Sequence, residues 1–147
     1  MQRALPPSFF LVALIAAALL HFAAPIHTVL TFPFNLAGAV PLGLGLFLNI
    51  RASRQFEELG TTIKPFEQST ALVRDFPFSL SRNPMYLGMT LALLGVGLML
   101  GSVAAVLPAV IFPVIIDRRF IRSEERMLEE RFPDEWSAYA RDVRRWL

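Results

Sequence analysis

The sequence predicts an all-α polytopic membrane protein, with about four transmembrane helices followed by cytoplasmic C-terminal amphipathic helices. Three observations carry that expectation. The 147-residue chain is 54% hydrophobic and only 18% charged, against about 25% charged in soluble domains. Its uncharged residues are gathered into blocks: 47 lie between Arg3 and Arg51, and another 34 between Arg82 and Asp117. A helix crossing the hydrocarbon core needs about 20 mostly apolar residues, with about 17 the short limit, so each block has room for two spans. Neither block alternates apolar and polar residues as a transmembrane barrel would. An ordinary soluble enzyme, a disordered chain and a β-barrel are excluded, and the length suits a single domain over 1–147.

The elements follow in order. The first span is expected at about 8–29, with Pro25 near its far end. It starts behind a basic residue as a secretory signal does, but the apolar stretch from Phe9 continues through His21, Phe22 and Ala23 without a small-residue cleavage site. It therefore reads as a retained helix. The second span, about 35–50, is entered through Phe32-Pro33-Phe34; Pro41, Gly43 and Gly45 inside it permit a kink and a close helix contact. The third covers about 84–100, with Asn83 placed to cap it and Pro84 as its first residue. Gly101-Ser102 is the turn into the fourth span, about 103–116, which Pro108 and Pro113 are expected to bend.

Orientation follows from the basic residues. All fourteen Lys and Arg lie in the N-terminal segment, the loop 51–83 and the tail 117–147, and the two opposite loops contain none. The positive-inside rule puts both termini and the middle loop in the cytoplasm. The twelve acidic residues share the loop and tail, so a polar cosubstrate would meet a membrane-embedded one at the cytoplasmic face. A net charge of +2 gives no argument for nucleic acid, and the absence of cysteine removes disulfides, thiolate metal sites and a Cys nucleophile. His21 and His27 stand apart from every other ionisable group, where helix-to-helix hydrogen bonding is the expected role and no metal site is predicted.

The tail is expected to continue the fourth helix from Asp117 to about Phe132, with Ile121, Leu128 and Phe132 on one apolar stripe. Glu124 and Glu125 flank that stripe. Burying a charge costs several kcal/mol unless it is paired, so a salt bridge to Arg82, Arg118 or Arg119 is one account of these carboxylates, and ligand binding is another. Pro133 suits the start of a last helix, whose apolar face reads Trp136, Tyr139, Ala140, Val143 and Leu147. Arg141, Arg144 and Arg145 on it are available to lipid headgroups or to a ligand carboxylate.

Two segments carry a resemblance. One reads Phe76-Pro77-Phe78-Ser79-Leu80-Ser81-Arg82-Asn83-Pro84-Met85-Tyr86-Leu87-Gly88; the other runs from Glu124-Glu125-Arg126-Met127-Leu128 through Phe132 to Trp136 and Tyr139. Together, with a membrane hairpin between them, they resemble the isoprenylcysteine carboxyl methyltransferase and phospholipid methyltransferase families. Thr61-Thr62-Ile63-Lys64-Pro65-Phe66 looks like the lead-in of bacterial members. The similarity covers about 60–147. It departs from the family pattern at Phe76, Phe78, Asn83 and Pro133, and Asn83 excludes a titratable base at its position.

The resemblance implies S-adenosylmethionine as cofactor and a bacterial inner-membrane type of location. It implies methyl transfer to a lipid-like or prenylated acceptor entering from the bilayer, with carboxyl O-methylation the first expectation. Phospholipid amine N-methylation and a non-catalytic membrane scaffold are the alternatives. On this resemblance Asn83, Pro84, Tyr86, Gly88, Glu124, Glu125 and Tyr139 would line the cofactor pocket. Arg82 and Glu125 would be the catalytic pair, and Arg82 or a tail arginine would hold a carboxylate.

Overall fold

The third apolar helix is the hub of the molecule. The computed structural model describes residues 5–24, 27–28, 30–60 and 72–147; among them there is no strand, only an isolated antiparallel bridge between Thr28 and Ser102. Among the described residues six α-helices follow one another: α1 (Pro6–Ala23), α2 (Ala39–Glu58), α3 (Pro84–Leu100), α4 (Val103–Ile116), α5 (Arg122–Arg131) and α6 (Pro133–Asp142). α3 lies between α2 on one side and the α1–α4 pair on the other.

Several boundaries differ from expectation for identifiable reasons. α1 stops at Ala23 rather than near 29, because Ala24 precedes a proline, which disfavours the helical region; Ala24 adopts φ −142°, ψ 69°. The chain then turns onto the α3–α4 corner, where Val103 N–H donates to His27 O at 3.2 Å and Leu30 N–H to Gly101 O at 3.2 Å. A short 3-10 turn, Phe34–Gly38, leads into α2. α2 carries on past Ile50 to Glu58, taking up the start of the segment expected as a loop. Pro41 makes no break in it, because it falls in the first turn, where its missing N–H has no intrahelical partner to lose. The Thr61–Phe66 stretch lies outside the described residues.

α3 and α4 begin and end as expected. Gly101 closes α3 with φ 83°, a left-handed conformation that glycine adopts without penalty. Ser102 caps α4 by accepting from Ala105 N–H at 3.3 Å. His21 Nδ1 lies 3.0 Å from Ser102 Oγ, the helix-to-helix contact expected of a histidine there. At Asp117 the winding widens into a π-turn, Asp117–Ile121, in which Arg122 N–H reaches Asp117 O. That re-phases the helix before α5, and such π-turns recur at functional sites.

In the α2–α3 contact the two backbones touch. A Cβ on Gly45 would fall on the Gly88 carbonyl oxygen, and one on Gly95 would come within 2.6 Å of Leu42 N and Gly38 O. Outward-facing residues are large and apolar: Leu11, Val12 and Leu19 on α1, Val40 and Phe47 on α2, Val110 and Ile111 on α4, all more than half exposed. A soluble monomer rarely exposes such a surface. Among the described residues two helical runs, Pro6–Ala23 and Phe34–Glu58, are long and apolar enough to cross a membrane, fewer than the four spans expected; Pro84–Leu100 is a shorter apolar helix.

Candidate active site at the α3–α5 junction

The polar groups converge where α3 begins, α5 runs and the C-terminus returns. α6 ends at Asp142, and Val143 is extended, with φ −119° and ψ 131°. From there the chain lies as a strap over the Ser81-Arg82-Asn83 turn. Arg82 N–H donates to Arg144 O at 2.9 Å. Ser81 Oγ donates to Arg145 O at 3.1 Å and accepts from Asn83 N–H at 3.1 Å. Asn83 Nδ2 also donates to Arg145 O, at 3.1 Å. Asn83 thus sits at the N-cap of α3 without a side-chain capping bond; its amide is committed to the strap. Because the chain leaves the helix at Val143, Leu147 is exposed and does not extend the apolar face of α6.

Arg82 is fully engaged. Its Nε and Nη2 contact Glu125 Oε1 at 3.2 and 3.1 Å, its Nη1 donates to Ala140 O at 3.0 Å and Val143 O at 3.2 Å, and its plane lies 5.5 Å over the Trp136 ring. Arg145 closes on the other side. Its Nε is 3.1 Å from both Glu125 oxygens and its Nη2 also bonds Glu125, while Nη1 reaches Asp117 Oδ1 at 3.1 Å. Asp117 Oδ2 accepts from Arg122 Nε at 2.9 Å. Hydrogen bonding to Glu125, ahead of every other influence, holds the Arg145 guanidinium above its ordinary range. Glu125 therefore meets one of the partners foreseen for it, Arg82, and a second that was weighed only for lipid or ligand, Arg145. Arg118 and Arg119 remain exposed.

Glu124, its neighbour, is in a different situation. Tyr86 Oη donates to Glu124 Oε1 at 2.7 Å, and no cation pairs with this carboxylate among the described residues. Burial pushes its carboxyl above the usual carboxylate range; the Tyr86 bond opposes the shift and the Glu125 charge adds to it. A carboxylate with spare acceptor capacity beside a saturated ionic cluster fits a cationic ammonium or a pair of hydroxyls.

The other expected site residues divide. Pro84 is buried as the first residue of α3. Tyr139 Oη donates to Phe78 O at 2.7 Å and packs edge-on against Trp136 at 5.9 Å; burial raises its hydroxyl. It supports the Phe76–Leu80 turn and does not join the glutamates. Gly88 faces α2, where a Cβ would strike the Asn49 amide and the Gly45 carbonyl. Asp117, Ser81 and Trp136 were missed as site residues. Asp117, the first charge after 34 uncharged residues, offered a signal.

Residues 33–135 match the phospholipid methyltransferase family. The chain belongs to this family, and its outward apolar surface and two long apolar helices suit a membrane protein. Within that class, it is similar to an uncharacterized protein of Haemophilus influenzae, 44% identical over 63 residues that make up 43% of this chain and the whole of that protein. No solved structure matches the chain.

Proposed function

We propose that the chain is an S-adenosylmethionine-dependent methyltransferase acting on a lipid-like acceptor, as a single domain over 1–147. Four helices, α1 to α4, would cross the membrane with both termini and the polar junction at the cytoplasmic face. The confinement of all Lys and Arg to that end supports the orientation. The observation that carries the activity is the Glu124–Tyr86 pair. It is a partly buried carboxylate with one neutral donor, in the segment that matches the family and beside the Asn83-Pro84 turn.

Glu124 would hold the cofactor's ammonium or its ribose hydroxyls, Tyr86 would fix the orientation of the Glu124 side chain, and Asn83 and Pro84 would form the adjoining wall. When bound, the cofactor supplies an electrophilic methyl group on a sulfonium. The chain's task is then to align an acceptor with it, and positioning of this kind can contribute about 7–11 kcal/mol in favourable cases. Glu125 and Arg82 act through geometry, since each is bonded to the other and to the strap.

The acceptor is better read as an amine than as the carboxylate first expected. A carboxylate acceptor wants a free guanidinium, and those of Arg82 and Arg145 already have protein partners on Nε, Nη1 and Nη2. An amine acceptor reacts as the neutral amine and needs no such cation, which leaves Glu124 to the cofactor.

Calorimetric titration of S-adenosylmethionine into the detergent-purified protein tests the reading. Micromolar binding that is weakened at least 10-fold in Glu124→Ala, about the loss of one charge-assisted hydrogen bond, is expected. Absence of binding by folded wild-type protein would leave a membrane scaffold that retains the fold alone.

A further inference from the structure

α2 buries one stripe, Gly45, Leu48, Ala52 and Gln55, at steps of three and four residues. The first three positions hold small or apolar residues, as a helix contact requires. The fourth holds a carboxamide. Gln55 is 5% exposed, and its Oε1 is sealed from solvent with no hydrogen-bond partner among the described residues. Leaving a buried acceptor unpaired is costly, and Leu or Met would fill the same space without that cost. The other such atom, Asn35 Oδ1, belongs to an amide already anchored through Nδ2 on Met99 O at 2.9 Å.

The neighbourhood suggests what Gln55 is for. Ala52, one turn earlier, packs with Phe78, Trp136 and Tyr139, and Phe56, next in sequence, borders the same cluster. Trp136 in turn carries Arg82 on its face, so Gln55 lies at the active-site end of α2. Eight residues before Gln55, a little over two turns back along α2, the Phe47 ring lies 6.2 Å from that of Phe76, both exposed, with Leu80 exposed nearby in sequence. An unpaired acceptor is therefore set inward near the polar end of α2, with an exposed apolar surface about 12 Å further back along the same helix. A polar lipid divides in the same way between headgroup and chain.

We propose that Gln55 reads the acceptor's headgroup: its Oε1 accepts a hydrogen bond from an N–H or O–H of a polar lipid whose acyl chain rests against Phe47 and Phe76. The inference rests on the methyltransferase reading for the identity of this lipid as the methyl acceptor, but the binding itself does not depend on it. Gln55 would be a specificity residue, favouring headgroups that still carry a donor over those that carry none.

The test uses the full chain in detergent, with diheptanoyl phosphatidylethanolamine, which has N–H donors, and diheptanoyl phosphatidylcholine, which has no headgroup donor. The wild type should bind the ethanolamine lipid about 3- to 10-fold more tightly. Gln55→Met and Gln55→Leu should abolish this preference, raise or preserve Tm, and leave cofactor affinity unchanged. Gln55→Glu, which keeps acceptor oxygens, should retain it. Equal affinity of the wild type for both lipids would overturn the proposal, as would survival of the preference in the Met or Leu variant. Loss of cofactor binding with an intact lipid preference would overturn the methyltransferase reading and leave this one standing.

Discussion

The α2–α3 contact and the strap–α5 junction hold the same helix, α3, by opposite means. Along the apolar length of α3, Gly88 and Gly95 let it lie directly against Gly45 and Gly38. Dispersion and exclusion of a side chain do the work there, as in helix pairs within lipid. At the polar end, Arg82 just ahead of α3 is tied by directional bonds to Glu125 and to the carbonyls of Ala140 and Val143. One region is held by close packing of backbone, and the other by paired charges. The difference teaches where variation is tolerable: a methyl group is intolerable between α2 and α3, whereas an uncompensated charge is intolerable at the junction.

The largest effect should come from breaking the ionic side of this comparison. Glu125→Ala leaves Arg82 and Arg145 facing each other without their shared carboxylate. Removing one partner of a buried pair costs about 3 kcal/mol or more, and both Arg82 and Glu125 side chains are under 15% exposed. A marked fall in Tm in detergent is expected, together with weaker cofactor binding. An unchanged Tm would mean that the strap is held by its backbone bonds alone.

A smaller effect tests the packing side. Gly45→Ala must push α2 from α3 and should cost about 1–3 kcal/mol, read as a lower Tm. Gly43, two residues earlier on the same helix, has open space where a Cβ would sit. Gly43→Ala should therefore hold or raise Tm by the entropy glycine forfeits, about 0.5–1 kcal/mol. The pair separates close packing from any general effect of glycine on α2.

The smallest effect concerns Glu124 and pH. Its carboxyl is raised by burial in the folded protein, so between the ordinary carboxylate range and that raised value the folded state binds the proton that the unfolded chain has released. Stability then falls as pH rises through this window. Glu124→Gln removes the contribution, and a plot of Tm against pH should be flatter there than for the wild type. Identical plots would show that Tyr86 alone compensates the buried charge.

Much of the architecture was legible in the residues themselves. Two uncharged blocks, Pro84 and the Gly101-Ser102 turn dictated α3, α4 and their corner, because hydrophobic span length and φ preferences are local properties. The end of α1 was less legible, since one proline weighed against a continuing apolar run. The candidate site was legible as a set of residue types but not as an arrangement. Asn83 looked like a helix cap, yet its amide is drawn to the strap; Gly88 looked like a pocket residue, yet its missing side chain serves α2.

By itself, the sequence determined an all-helical protein with long apolar helices, and it singled out two adjacent glutamates beside an Arg-Asn-Pro turn. Only the tertiary structure gave those glutamates different partners. Arg82 and Arg145, 43 and 20 residues distant from Glu125 along the chain, both close upon it, while Glu124 receives only the Tyr86 hydroxyl. Neighbours on a helix are turned about 100° apart, so each meets whatever chain segment packs on its own side. The return of the strap settles that meeting, and no local pattern in the sequence encodes it.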